Sequence, residues 1–168
     1  MNTVSVLALA GFVVASFVAA AMGVVFPPGD WYRQLVKPRW RPPDRWFAPV
    51  WTVLYLSIAA SGWMVWREAG FTGAALPLSI FFVQLLLNAA WTPIFFGLRR
   101  PGWGLCEIAL LWISIIATIA SFSHIHRGAA WLLLPYLAWV TFAAALNFAI
   151  CRLNRAPGSG TRVRTNQR

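Results

Sequence analysis

Aromatic and amide side chains recur at helical spacing in three apolar segments of the chain. The pairs are Trp51 with Tyr55, Asn88 with Trp91, and Trp139 with Ala143. Residues three or four apart share one face of a helix. If the three faces converge, they form an apolar pocket with a few hydrogen-bonding groups, which suits a flat hydrophobic ligand held by stacking and burial. Each tryptophan has an alternative role, either at a membrane interface or in packing between helices.

A stretch rich in aromatic, proline and basic residues lies between the first two apolar segments, at residues 27–51. Its basic residues are Arg33, Lys37, Arg39, Arg41 and Arg45. Such a composition in one interhelical loop predicts a structured lid rather than a plain connector. Its cations are suited to pair with ligand carboxylates, although they also fit a role in membrane topology alone.

The residues that commonly carry out catalysis are scarce. Glu107 is the one acidic residue inside an apolar segment, and we expect it either to pair with an arginine at the nearby surface or to line the cavity. His124 and His126 share a short loop, and Cys106 and Cys151 have no metal-type spacing. No common hydrolase, nucleotide-binding or metalloprotease motif is present. We therefore predict no acid–base or nucleophilic residues, no metal site and no required cofactor.

Composition and segment length place the chain in a membrane. Of 168 residues 60% are hydrophobic and only 11% are charged, against about 25% charged in soluble domains. We predict an all-α integral membrane bundle of five transmembrane helices in one domain, residues 1–154. The helices are expected at residues 3–26, 46–66, 74–98, 103–123 and 129–151, with a turn at residues 68–73. The basic tail at residues 155–168 is predicted to be disordered.

Two features within these helices predict local structure. Pro93 is expected to bend the third helix or open its hydrogen-bond ladder. In the first helix Gly11, Ala15, Ala19 and Gly23 recur every four residues, which predicts close packing against another helix or a dimer interface. No basic residue precedes Gly23, so the segment is expected to be a retained helix rather than a signal peptide.

The distribution of basic residues predicts the orientation. Arg67 and Arg127 lie on the side of the N-terminus, whereas the other twelve of the 14 Lys and Arg lie on the opposite side. By the positive-inside rule the N-terminus faces outward, and the first loop and the C-terminus face the cytoplasm, in a multi-pass protein that we expect in a bacterial membrane. The net charge of +10 then reflects topology and contact with the lipid bilayer, and no nucleic-acid partner is expected.

Five motifs in this order resemble the TspO family, also known as translocator proteins, tryptophan-rich sensory proteins or peripheral benzodiazepine receptors. They are WY at residues 31–32, KPRWRPP at 37–43, PVWTVLY at 49–55, NAAWTPIFFG at 88–97 and PYLAWVTFAAALNF at 135–148. The similarity covers about residues 20–154. It implies a five-helix bundle, usually a homodimer, in which the first loop caps a pocket.

The resemblance also implies ligands and site residues. The family's ligands are porphyrins such as protoporphyrin IX and haem, isoquinoline- and benzodiazepine-type drugs and, in animal members, cholesterol. By motif match the ligand-binding residues would be Trp31, Tyr32, Trp40, Pro42, Trp51, Tyr55, Asn88, Trp91, Cys106, Trp139 and Ala143. The sterol-recognition pattern of the family is incomplete here, because Phe148 stands where that pattern has a tyrosine before Arg152.

Three functions follow as hypotheses. The first is a membrane receptor or carrier for tetrapyrroles with a sensory or stress-regulatory role. The second is a light- and oxygen-dependent porphyrin-degrading activity, for which the resemblance would assign Trp31 and Trp139. The third is a structural membrane scaffold in which the pocket is a packing defect.

Overall fold

The computed structural model describes residues 2–155, and this part of the chain is helical without a strand. The elements are helix α1 (Thr3–Val25), helix α2 (Asp30–Gln34), a 3₁₀ turn (Asp44–Trp46), helix α3 (Phe47–Gly73), helix α4 (Ala75–Thr92), a π-helical turn (Pro93–Gly97), helix α5 (Pro101–Ser123), helix α6 (Arg127–Leu132) and helix α7 (Leu134–Leu153). The predicted all-α class is confirmed. Of the predicted disordered tail, residues 156–168 lie outside the described residues.

Five helical segments within residues 2–155 are long and apolar enough to cross a membrane. They are Thr3–Val25, Asp44–Gly73, Ala75–Gly97, Pro101–Ser123 and Arg127–Leu153. The shortest contain 23 residues, and 23 residues of helix measure about 34 Å, more than the hydrocarbon core of about 30 Å. The prediction of five transmembrane helices is therefore confirmed.

Helix α3 extends beyond its predicted end at residue 66. It continues to Gly73, with a break at Gly70, whose φ of 66° lies in the left-handed region. Glycine adopts this conformation without steric cost, so the helix is kinked at Gly70, inside the turn predicted at residues 68–73, rather than at the preceding charged residues. Arg67 and Glu68 are exposed. The boundary predicted from them marked the end of the apolar stretch and not the end of the helix.

The third and fifth segments are both interrupted at proline. After α4 the chain forms the π-helical turn that begins at Pro93, where the Leu98 N–H donates to the Pro93 carbonyl at 2.8 Å. This confirms the predicted opening of the ladder. The fifth helix, predicted as one piece over residues 129–151, is divided into α6 and α7 at Leu133. Pro135 two residues later lacks an N–H and its ring crowds the preceding turn.

Helix α1 packs against α3 and α4 most closely at a glycine of α3, and only Ala15 and Ala19 of its own stripe of small residues join the core. A Cβ at Gly62 would lie 2.8 Å from a ring carbon of Phe12 and 2.8 Å from one of Phe81. In the stripe Ala19 is buried, whereas a Cβ added at Gly11 would meet no atom of another helix within 4 Å. The close approach of the helices therefore depends on Gly62.

We expect Gly62→Ala to destabilise the bundle. The added methyl group must displace two buried rings, and overpacking of this kind costs about 1–3 kcal/mol, more than alanine gains in helix propensity. The midpoint of thermal unfolding in detergent should fall by several degrees. Gly11→Ala is the matched control, because its methyl group meets nothing and should leave the midpoint unchanged or raise it. Equal midpoints for the two variants would contradict this packing.

Candidate functional site

A cavity of about 530 Å³ lies beneath the first loop, between α1, α3, α4, α5 and α7. Its lining is mostly apolar and aromatic. Seven of the eleven predicted site residues line it: Tyr32, Trp51, Tyr55, Asn88, Trp91, Trp139 and Ala143. The three helical faces that carry the predicted pairs therefore do converge on one space.

Aromatic rings from α3 and α7 form one side of the cavity. Trp51 stacks on Tyr55 with ring centroids 5.3 Å apart and an interplanar angle of 29°. Tyr136 meets Trp51 edge-on at 6.3 Å, and Phe47 meets Trp139 edge-on at 5.7 Å. Rings held by such contacts present faces of fixed orientation to a planar ligand.

The π-helical turn of the third span supplies the side nearest the loop. Trp91 stacks on Phe95 at 4.9 Å and 19°. Tyr32 of the loop meets Phe95 and Phe96 edge-on, at 6.2 Å and 5.2 Å. Phe95 is buried, so the loop is attached to the bundle through the turn that Pro93 opens.

A chain of buried hydrogen bonds joins α3, α4 and α7 at the inner end of the cavity. The Tyr55 hydroxyl donates to Asn88 Oδ1 at 2.5 Å. The Asn88 Nδ2 group donates to the Tyr136 hydroxyl at 2.9 Å, and that hydroxyl donates to Gln84 Oε1 at 3.0 Å. Gln84 and Asn88 are one turn apart on α4, and all four side chains are buried. The chain fixes the relative positions of three helices around the cavity.

Charged groups of the loop surround Tyr32 at the mouth of the cavity. Arg41 Nη1 lies 2.7 Å from Asp44 Oδ1 and 3.4 Å from the Tyr32 hydroxyl. Lys37 Nζ lies 4.5 Å from the centre of the Tyr32 ring. The hydrogen bond to Tyr32 raises the pKa of Arg41, whereas partial desolvation and the charge of Arg41 lower the pKa of Lys37. Asp44 and Tyr32 both line the cavity, so a cation lies next to its mouth.

The other four predicted site residues do not line the cavity. Trp31 is half-buried and contacts Phe95 edge-on at 6.0 Å. Trp40 is 51% exposed. Pro42 is half-buried within the loop, and Cys106 is exposed on α5. The structure thus places three of these residues in the cap and one on the outer surface of the bundle.

Several lining residues were not among those predicted. Phe47, Phe95, Phe96, Asp44 and Asn147 all line the cavity. Asn147 lies one turn from Ala143 on α7, so the helical period that marked Trp139 and Ala143 also indicated Asn147. The inward direction of Phe95 depends on the π-helical turn and had no signal of this kind in the sequence.

Glu107 takes neither of the two roles considered from the sequence. It is buried, yet neither carboxyl oxygen has a hydrogen-bonding partner among residues 2–155. It forms no salt bridge with a residue of that range and does not line the cavity, although Ile108 and Leu111 of the same helix do.

His126 has a structural role, since its Nδ1 accepts a hydrogen bond from the Ala129 N–H at 3.2 Å at the start of α6.

A five-span bundle with an aromatic cavity under its first loop agrees with the family resemblance of the sequence. Comparison with known proteins decides whether the chain belongs to that family. Residues 3–153 match the model of the TspO/MBR family. The chain belongs to this family. The matched range contains the first loop and all three cavity-lining faces, so the family match includes the residues of the site.

Relatives in this family come from distant sources. Protein CrtK of Rhodobacter capsulatus is 42% identical over 148 residues, which cover 85% of this chain and 90% of that protein. The human translocator protein is 39% identical over 91% of this chain and 94% of its own length. The tryptophan-rich sensory protein of Cereibacter sphaeroides is 38% identical over 85% of this chain and 89% of its own length. The chain is thus a multi-pass membrane protein similar to both bacterial and animal members.

Proposed function

We propose that this TspO/MBR family protein is a membrane receptor or carrier for tetrapyrroles such as protoporphyrin IX or haem. The observation that carries the proposal is the aromatic cavity with a cation-bearing loop at its mouth. Its volume of about 530 Å³ lies within the range of about 300–1,000 Å³ for small-molecule pockets. The porphyrin is the ligand in this proposal, and no further cofactor is required.

Stacking supplies the affinity for the macrocycle. Trp51 on α3, Trp91 on α4 and Trp139 on α7 all contribute rings to the lining, so a planar ligand contacts aromatic surface from three helices. Burial of a large flat hydrocarbon surface is the main favourable term in such a site. The few polar groups would fix its orientation.

Charge supplies the orientation. The carboxylates of a dicarboxylic porphyrin would lie at the mouth, next to Arg41 and Lys37, and the ring would enter the aromatic part of the cavity. An arginine is suited to this contact because its planar guanidinium matches a carboxylate. Asp44 holds Arg41 at 2.7 Å in the structure, so the ligand carboxylate shares or replaces that partner.

The wider biological role is part of the same proposal. The name of the Cereibacter sphaeroides relative describes it as sensory and that of the human relative as a translocator, which supports a regulatory or carrier role. We place the loop and the C-terminus in the cytoplasm, because most of the basic residues lie on that side. The working form is proposed to be a homodimer.

Arg41→Gln should discriminate between ligands with and without free carboxylates. The variant should bind protoporphyrin IX about tenfold more weakly, because a charge-assisted hydrogen bond contributes about 1.5–3 kcal/mol. Its affinity for protoporphyrin IX dimethyl ester should equal that of the wild type. Binding is measured by quenching of tryptophan fluorescence in detergent.

Arg39→Gln is the control for this experiment, since Arg39 is an exposed arginine of the same loop. It should change neither affinity by more than a small factor, whereas Asp44→Asn should strengthen binding of the diacid by removing a like charge. Equal losses for the diacid and the ester in Arg41→Gln would show that Arg41 does not contact the carboxylates.

A second candidate function is light-dependent oxidation of the bound porphyrin by molecular oxygen. Trp139 favours it, because this indole lines the cavity and its N–H has no partner within residues 2–155. An electron-rich ring next to a photoexcited macrocycle is suited to electron transfer. Illumination in air should yield a new product absorption band that Trp139→Phe abolishes while porphyrin still binds. An unchanged porphyrin spectrum in the illuminated wild type would exclude the activity.

A further inference from the structure

The first loop is joined to the end of the last helix by one asparagine. Asn154 Oδ1 accepts a hydrogen bond from the Val36 backbone N–H at 3.0 Å. Asn154 Nδ2 donates to the Val36 backbone carbonyl at 2.9 Å. The amide therefore pairs with both polar groups of one loop residue across 118 positions of sequence, as a neighbouring strand would do.

The position of this amide is fixed by helix α7. Asn154 Nδ2 also donates to the Ile150 carbonyl at 2.8 Å, and the Asn154 backbone N–H donates to the same carbonyl at 3.1 Å. Asn154 thus caps the C-terminus of α7 and holds the loop with the same side chain. Such a contact attaches the loop to a rigid element of the bundle rather than to another flexible segment.

The remaining contacts that hold the loop down are apolar. Tyr32 and Trp31 pack against Phe95, and Trp40 packs against Phe142. Within residues 2–155 the other side-chain hydrogen bonds of residues 30–43 stay inside the loop or reach Asp44 next to it. The two bonds of Asn154 are therefore the polar attachment of the loop to the helices.

The attachment is specific to the backbone at residue 36. Val36 is 56% exposed, so burial of its side chain does not account for the position of the loop there. Its backbone N–H and carbonyl are nevertheless both paired, and both bonds are to Asn154. Residue 36 also lies between the two aromatic contacts of the loop, Tyr32 and Trp40.

We propose that Asn154 is a positioning residue that clamps the first loop over the cavity and thereby sets the rate of ligand exchange. The ligand-exchange part rests on the proposed function. Tyr32 belongs to the loop and lines the cavity, so a ligand that enters or leaves at this end must displace the loop. Displacement breaks both bonds to Val36, and the clamp slows entry and exit together.

The first experiment tests the clamp without a ligand. Hydrogen–deuterium exchange of the peptide that contains Val36 and Lys37 should be about tenfold faster in Asn154→Ala than in the wild type, since the loss of both hydrogen bonds lets the loop open more often. Asn2→Ala is the matched control. Asn2 also bonds a helix end, through the Ser5 N–H at 2.9 Å, but lies at the other end of the bundle. Unchanged exchange at Val36 in Asn154→Ala would overturn the proposal.

A second variant weakens the clamp from the loop side. Val36→Pro deletes the N–H that donates to Asn154 Oδ1. It leaves the residue 36 carbonyl and the bond between Asn154 and Ile150, so the α7 cap and one clamp bond are kept. Leu35 has φ −63° and ψ 139°, a conformation that suits the residue before a proline. This variant separates loss of the clamp from loss of the helix cap.

Ligand kinetics then test the consequence. Stopped-flow dissociation of protoporphyrin IX should be about tenfold faster in Asn154→Ala, which removes both bonds, and faster by a smaller factor in Val36→Pro, which removes one. Association should also be faster in both variants, and the equilibrium Kd should change less. The double variant should be no faster than the faster single variant, because both act on the same contact. If the increases in dissociation rate of the two single variants multiply in the double variant, the clamp is overturned. If the wild type does not bind protoporphyrin IX, the proposed function fails. Hydrogen exchange at Val36 then decides on its own whether Asn154 holds the loop.

Discussion

Replacing Trp51 and Trp139 together with alanine is expected to weaken protoporphyrin IX binding by about a thousandfold. The two rings line the cavity from different helices, and each stands at the centre of an aromatic cluster. Truncating such an anchor costs about 2 kcal/mol or more, and about 4 kcal/mol in total corresponds to about three decades in Kd. The measurement is a fluorescence titration in detergent that follows the remaining tryptophans or the porphyrin itself.

The control for that experiment removes two tryptophans outside the cavity. Trp103 and Trp131 are 67% and 69% exposed, and neither lines the cavity. Their joint replacement by alanine should leave the affinity within a factor of about two to three of the wild type. If the affinity of Trp51→Ala with Trp139→Ala also stays within this factor, the porphyrin does not occupy the cavity.

Asn88→Ala should cause the largest loss of stability among the single substitutions considered. Asn88 accepts from the Tyr55 hydroxyl and donates to the Tyr136 hydroxyl, and both tyrosines are buried. Removing the amide breaks both bonds. The Tyr136 hydroxyl keeps Gln84 as a partner, but the buried Tyr55 hydroxyl loses its acceptor, at about 1–3 kcal/mol for an unsatisfied group. We expect a loss of about 2–4 kcal/mol, seen as a clear fall of the thermal midpoint.

Leu86→Ala serves as its control. Leu86 lies on α4 two residues from Asn88, but its side chain is 70% exposed, so the substitution opens no internal cavity. Its midpoint should stay close to that of the wild type. A midpoint of Asn88→Ala within 1 °C of that of Leu86→Ala would show that the hydrogen-bond chain does not hold α3, α4 and α7 together.

The parts of the fold that follow from period and composition could be predicted from the sequence. Apolar length alone defines the five spans. Spacing along a helix correctly paired Trp51 with Tyr55, Asn88 with Trp91, and Trp139 with Ala143 on single faces, whose convergence on one cavity the structure then showed. These predictions rest on the helical repeat, which is the same in every helix. They needed no knowledge of how the helices are arranged.

The parts that depend on local breaks or on tertiary contacts could not be predicted in this way. The kink at Gly70 depends on a backbone angle, and the inward direction of Phe95 depends on the added residue of a π-helical turn. Cys106 shares α5 with lining residues but lies on its exposed surface. The pairing of Asn154 with Val36 joins residues 118 positions apart, and neither residue has a signal of it in the sequence.

The cavity is proposed to bind a flat aromatic ligand with acidic groups. A combined titration and thermal-shift measurement of the wild type with protoporphyrin IX in detergent tests it most directly. The proposal predicts saturable quenching at one ligand per chain, with a thermal midpoint that rises with ligand concentration, because a ligand that binds only the folded state must stabilise it. Quenching that never saturates, together with an unchanged midpoint, would contradict it and favour a structural scaffold.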